Sequence, residues 1–199
     1  MNPGPERQRR RYEPDRRQRL VEVTLDVIAQ RGVAGTTHRQ VARAADVPLG
    51  SVTYHFGSLG ELLAAAFTHL ALTAANAFEA RMAAIEPGAD APARVVEAML
   101  ADLAGNQRSA VLTYELYAAA ARDPALRIIT QGWMDRTRRS LRRHFDADTA
   151  ETLDALMEGL ILHATLSTEP VDPARIRRAV ARLVPPPDGN LGAPGSTAP

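Results

Sequence analysis

The chain has 199 residues, with 24 basic and 23 acidic side chains, a formal net charge of +1 and an apolar share of 45%, enough for one or two domains with real cores. It contains no cysteine, which excludes a disulfide framework and thiolate-ligated zinc. No uninterrupted apolar run spans a bilayer and no apolar segment follows the Arg-rich start, so a cytoplasmic protein with no signal peptide and no membrane attachment is expected.

The small net charge conceals an asymmetry. Residues 1–60 carry ten arginines and six acids, net +4, whereas residues 61–199 carry fourteen arginines and seventeen acids, net −3. All the basic residues are Arg and none is Lys. Residues 1–13 combine Pro, Gly and clustered Arg7, Arg9, Arg10 and Arg11 without an apolar period and read as a disordered basic arm. Two readings of the arm stay open: contact with a DNA minor groove or phosphates, or a solvated tail.

Asp15 stands where it can cap a helix over 16–31, with Leu20, Val23, Val27 and Ile28 on one stripe and Gly32 as its stop. Arg16, Arg17 and Arg19 at its start could touch a DNA backbone. The next stretch, 37–56, reads THRQVARAADVPLGSVTYHF. Two short helical patterns flank a tight turn, with Val41, Ala42, Ala45, Val47, Val52 and Phe56 as the apolar set, the layout of a helix-turn-helix. Thr37 and Gln40 form a capping box. Asp46 falls at the turn, where a short polar side chain tolerates a left-handed backbone, and Pro48 opens the second helix at no cost in hydrogen bonds.

In that second helix Val52 and Phe56, four apart, point inward. Leu49, Gly50, Ser51, Thr53, Tyr54 and His55 are left for the outside. Hydroxyls suit phosphate oxygens, while Leu49 or the Thr53 methyl can pack on a thymine methyl. Gly50 weakens a helix, which suggests a phosphate or base edge coming close. The candidate DNA-contacting residues are Thr37, His38, Arg39, Pro48, Leu49, Gly50, Ser51, Thr53, Tyr54 and His55.

Ser58 and Glu61 form a second capping box, opening a long helix to about residue 85 that can act as a connecting rod. A break over 87–92 follows, then helical patterns at 92–103, 109–122, 124–145, 149–167 and 173–184. No alternating strand pattern is present, so the fold is expected to be all-α. Residues 185–199 are rich in Pro and Gly and read as a disordered tail.

Taken together, Gly32, Thr36, Thr37, Val41, Ala42, Tyr54, His55, Phe56, Ser58, Glu61, Leu62 and Leu63 at their spacing resemble the N-terminal domain of the TetR family of bacterial transcriptional regulators. The resemblance covers about residues 14–74 and departs at three places. The family usually has Gly at position 46, Lys at 59 and an acid at 60, where this chain has Asp46, Leu59 and Gly60. That Lys commonly holds a backbone phosphate, so its contact is expected to be missing here. The resemblance implies a second helical domain over 75–184 that binds a small-molecule effector and forms a homodimer on double-stranded operator DNA.

The pattern over 149–167 bears on the dimer. Leu153, Leu156, Met157, Leu160, Ile161, Leu162 and Leu166 cover more than one face, so this helix sits mid-domain or buries a second face on another subunit. Gly159 permits close helix approach. The resemblance implies the dimer, with Leu153, Leu156, Met157, Gly159, Leu160 and Ile161 at its interface. Phe78, Met82, Met99, Tyr114, Tyr117, Trp133 and Met134 are candidates for an effector pocket as a group, although each alone reads as core.

Catalytic signatures are missing. None of the five histidines (His38, His55, His69, His144, His163) has HExxH spacing, and no Gly-rich phosphate loop or nucleophile elbow occurs. His144 beside Asp146 reads as a helix-end His favoured by the dipole. No enzyme, cofactor or metal is expected. The function expected is a regulator, a repressor released by its effector. Its rivals are a ligand-independent architectural or cell-cycle DNA-binding factor and a partner-binding activator.

Overall fold

The computed structural model describes residues 15–86, 88, 90–103, 107–169 and 172–184; the basic arm and the tail lie outside them. Among the described residues the chain is all helix, in two compact units that divide between Ala66 and Phe67.

The first unit contains α1 (Arg16–Arg31), α2 (His38–Ala44), α3 (Leu49–His55) and the start of α4 (Leu59–Ala83). α1 buries Leu20, Val21, Thr24, Leu25, Val27 and Ile28, more than a single stripe. Leu20, Val21 and Val27 share one core with Val41, Ala42, Ala45, Val52, Phe56 and Leu62. Thr24 is buried because its hydroxyl donates to Leu20 O at 2.7 Å. Asp15 occupies the N-cap position without making a side-chain cap bond, unlike the expectation from its type. Gly32 closes α1 at φ 69°. Three residues later a Cβ on Gly35 would lie 2.4 Å from Arg31 O, so the return to α2 has no room for a side chain.

Thr37 Oγ1 accepts from Gln40 N at 3.2 Å, and only this half of the capping box forms. Asp46 has φ 53°, the left-handed conformation the turn requires. Val47 N then donates to Ala42 O at 3.0 Å, closing the turn. Because a non-glycine residue is strained there, Asp46→Gly is expected to stabilise the first unit by about 0.5–1 kcal/mol after the entropy cost of Gly is subtracted. Chemical denaturation of the two proteins would measure it; a loss of stability would contradict it.

α4 begins with a reciprocal cap. Glu61 N donates to Ser58 Oγ at 3.1 Å, and the Glu61 carboxylate accepts from Gly57 N at 2.9 Å. An 18-residue window of α4 reaches mean hydropathy 1.2, long and apolar enough to cross a bilayer by length and composition. The stretch is explained by packing: Leu62 enters the first core, and Phe78 and Met82 enter the second.

The second unit continues α4 and adds α5 (Ala91–Leu103), α6 (Gln107–Ala120), α7 (Pro124–Leu141), α8 (Ala147–Leu166) and α9 (Pro173–Leu183). Asp123, Asp146 and Asp172 cap α7, α8 and α9 through Ala125 N, Thr149 N and Ala174 N at 2.8–2.9 Å. Pro follows directly at the start of α7 and α9. The core gathers Phe78, Met82, Val95, Met99, Leu141, Leu153, Met157, Ile176 and Val180.

Polar ties fix the frame. Arg136 donates to both Glu79 carboxylate oxygens at 2.8 and 2.6 Å and to Asn76 Oδ1 at 2.6 Å, joining α7 to α4. These bonds hold the Glu79 carboxyl below the usual carboxylate range. His144 lies beyond the end of α7, and its Nε2 is 3.1 Å from Met82 O. The histidine therefore caps the carbonyl end of α4 rather than of its own helix.

Candidate nucleic-acid interface

α3 separates into two faces. Val52 and Phe56 are fully buried and anchor the helix to the first core. Leu49 and Tyr54 point away at 42% and 84% exposure. Gly50 and Thr53 are exposed, Ser51 and His55 half-buried, and Pro48 forms the exposed N-cap. A Cβ on Gly50 would meet nothing within 4 Å, so no protein neighbour requires glycine there and the space in front of the helix is open. Thr53 Oγ1 reaches Leu49 O and Gly50 O only at 3.4 Å, long bonds that are readily exchanged for an incoming acceptor. The Tyr54 and His55 rings meet edge to face, centroids 5.2 Å apart.

α2 contributes at its start. The Thr37 hydroxyl is committed to its cap, Arg39 is exposed, and His38 is half-buried with Nε2 lacking a protein partner. Arg43 is also exposed, one turn beyond Arg39. Sequence reading missed it, although the i, i+4 spacing of two arginines was the available signal.

Two arginines expected near a DNA backbone have work inside the fold. Arg19 Nη2 donates to Ala45 O at 3.0 Å, tying α1 to the turn. The Arg17 guanidinium lies over the Phe56 ring, 4.9 Å from its centroid. Leu59 packs half-buried against the first core, which gives the residue in place of the family's usual Lys a structural role.

In the second unit the pocket candidates separate. Phe78, Met82 and Met99 are buried in the core. Tyr114, Tyr117, Trp133 and Met134 are half-buried, and the Tyr117 and Trp133 rings lie 6.3 Å apart at 45°. Burial pushes the Tyr117 hydroxyl well up, and the neighbouring Glu158 carboxyl adds to it. Glu158 and Asp154 of α8 were not among the sequence candidates. Their signal was two acids inside an otherwise apolar run. A groove of about 540 Å³ lined by Arg81, Ala84, Ile85, Asp90, Ala93, Arg94, Glu97 and Ala98 includes none of the candidates.

The expected dimer residues also divide. Leu153 and Met157 belong to the protomer's own core, with Leu156 and Leu160 packed against it; their stripe is the inward one. Gly159 has open space where a Cβ would go, and Ile161 is half-buried. The outward apolar side chains are Leu162 at 38% and Leu166 at 71% on α8, and Ile128 at 74% on α7. Among the described residues no group of three His, Cys, Asp or Glu side chains is placed to hold a metal.

A helix-turn-helix whose second helix is anchored by one face and leaves the other exposed, followed by a separate helical unit, defines a DNA-binding regulator. Residues 20–66 match the family model for bacterial regulatory proteins, tetR family, and residues 87–186 match the tetracyclin repressor-like C-terminal domain. The chain therefore belongs to the TetR family of bacterial transcriptional regulators. The HTH-type transcriptional regulator BetI of Burkholderia mallei (strain NCTC 10229) is 30% identical over 169 residues, spanning 79% of this chain and 85% of BetI. The Streptomyces coelicolor A3(2) protein SCO7518 is 42% identical with a TM-score of 0.77, covering 85% of this chain and 98% of that one. The multidrug binding protein EbrR, solved with imidazole, is 37% identical with a TM-score of 0.76, covering 89% and 99%; it has also been solved with ethidium.

Proposed function

We propose that the protein is a homodimeric repressor that reads a near-palindromic operator in the cytoplasm through α3 and is released when a small molecule binds its second unit. The observation that carries the DNA face is the division of α3, with Val52 and Phe56 fully buried and Leu49, Gly50, Ser51, Thr53, Tyr54 and His55 left for base edges and phosphates. Thr37, His38, Arg39, Pro48 and Arg43 add contacts from α2 and the turn. Two copies of α3 would occupy successive major grooves, about 34 Å apart.

The dimer would pair α7 and α8 across a two-fold axis, using Gly159, Ile161, Leu162, Leu166 and Ile128 as the outward apolar surface. A group of exposed leucines on one helix face supports this, since such a patch is more stable covered. The multidrug binding protein EbrR has been solved with ethidium, proflavin and malachite green, and its likeness over 84–89% of this chain supports an effector site among Tyr114, Tyr117, Trp133 and Met134. Effector and operator then favour different separations of the two α3 helices, so each lowers affinity for the other by linkage.

The test is a gel-shift titration against the DNA upstream of the protein's own gene, with an unrelated fragment alongside and salt varied. Specific retardation with two footprinted half-sites is expected. Tyr54→Ala should weaken specific binding by about 1–3 kcal/mol per half-site while leaving fold and dimer intact. Unchanged binding by that variant refutes the assigned face, and equal, salt-sensitive binding to both fragments refutes a nearby operator.

A further inference from the structure

We propose that α3 reads its operator through methyl groups, with Leu49 and the methyl of Thr53 packing on the C5-methyls of thymines in the major groove. The inference deepens the reading of α3 as the DNA face and rests on it. The outward set of α3 is Leu49, Gly50, Ser51, Thr53, Tyr54 and His55, and it contains no Arg, Lys, Asn, Gln, Asp or Glu. Those are the side chains that recognise a base by its hydrogen-bonding edge: Arg or Lys on guanine, Asn or Gln on adenine, Asp or Glu on cytosine. Ser and Thr hydroxyls bond to any base and discriminate little. Arg39 and Arg43 lie on α2, the helix that crosses the backbone in this motif, where they serve phosphates.

What α3 retains is apolar contact, and thymine is the one unmodified base that offers a methyl group in the groove. Among the described residues of the first unit, Leu49 and Tyr54 are the large apolar side chains left exposed. Leu49 and Thr53 are four apart and share one face of the helix. The Thr53 hydroxyl is turned back towards Leu49 O and Gly50 O, each at 3.4 Å, which leaves its methyl on another staggered position, away from those carbonyls. Gly50 adds no side chain beside Leu49, and the space where its Cβ would go is open. Tyr54 lies about 100° further round the helix than Thr53, is held edge to face against His55 at 5.2 Å, and carries a hydroxyl that suits a phosphate.

Taking one methyl out of water against another changes affinity about fourfold. Over guanine or cytosine the same side chains would cover polar edges without replacing their hydrogen bonds to water, a cost that adds to the preference. The operator half-site therefore carries thymines where Leu49 and Thr53 meet the bases.

Selection of binding sites by the full chain from a random-sequence duplex pool, followed by replacement of each thymine in the selected site with deoxyuridine, tests this, since deoxyuridine lacks only the methyl. One or two thymines in each half-site should each weaken wild-type binding about fourfold when replaced, and replacement in both half-sites should weaken it about tenfold or more. At the same position 5-methylcytosine should bind about fourfold better than cytosine, because the methyl returns while the rest of the edge is unchanged. Leu49→Ala and Thr53→Ser remove the protein's half of each contact. In each variant the deoxyuridine replacement at its own thymine should cost less than twofold. A selected site in which no replacement changes wild-type affinity twofold overturns methyl readout and leaves α3 as the DNA face; so does a cost that is the same in both variants as in wild type. Enrichment of no sequence, with equal binding to any duplex, overturns the DNA face together with it.

Discussion

Phe56→Ala is expected to abolish operator binding by unfolding the first unit. The ring is fully buried, and truncating such a residue to Ala costs about 3–5 kcal/mol in lost burial and a residual cavity. That is a large fraction of the stability of a unit this small. Two connections fail together. The ring joins α3 to Leu20, Val41 and Leu62 and receives the Arg17 guanidinium on its face. Circular dichroism should show part of the helix signal melting tens of degrees early while the second unit, whose core shares none of these side chains, retains its own. Leu72→Ala, at a half-exposed position of α4, is the control and should change little. A midpoint for Phe56→Ala within a few degrees of wild type, with operator binding intact, would contradict this account of the first core.

How much of this was legible in the sequence depended on the range of the interaction. Thr37 and Ser58 announced their helices because each cap and its backbone donor lie three residues apart. Asp46 announced its left-handed turn for the same reason, and Val52 with Phe56 announced the buried face of α3 by spacing alone. Asp15 had the right type and place but makes no cap bond, since residue type fixes preference and not the side-chain torsion. Arg17 and Arg19 are exposed, as their place at the start of α1 suggested, but their contacts with Phe56 and Ala45 lie 26 or more residues away and had no local signal.

In α8 the count of apolar residues announced more than one apolar face. Assigning Leu153 and Met157 to the inner face and Leu162 and Leu166 to the outer one required knowing where α5, α7 and α9 lie. Phe78, Met82 and Met99 were hidden among the pocket candidates because a core methionine and a pocket methionine have the same sequence signal. Glu158 was hidden for the opposite reason: an acid on a helix is ordinarily a solvated one, and only its placement against α6 makes it unusual.

Arg138→Ala is expected to cost about 2–3 kcal/mol, and to do so with a pH dependence that identifies the cause. Asp154 is 4% exposed and its carboxylate bonds Arg138 Nε at 2.8 Å. Removing one partner of a buried pair leaves an uncompensated charge, worth about 3–5 kcal/mol when both are fully buried. Arg138 keeps 28% of its side chain exposed and also approaches the exposed Glu151 at 3.6 Å, which lowers the figure. Burial pushes the Asp154 carboxyl up while Arg138 pulls it down, so the variant leaves the upward push unopposed. A carboxyl raised above its unfolded value contributes stability below that unfolded value and loses it as pH rises through the folded one. The deficit of Arg138→Ala relative to wild type should therefore be largest near pH 8 and shrink towards pH 4. Urea denaturation across that range measures it, and adding Asp154→Asn should recover most of the loss at neutral pH because no buried charge remains. A deficit independent of pH and unrelieved by Asp154→Asn would mean that Arg138 stabilises α7 and α8 by the packing of its aliphatic stem, and that Asp154 is compensated by water instead.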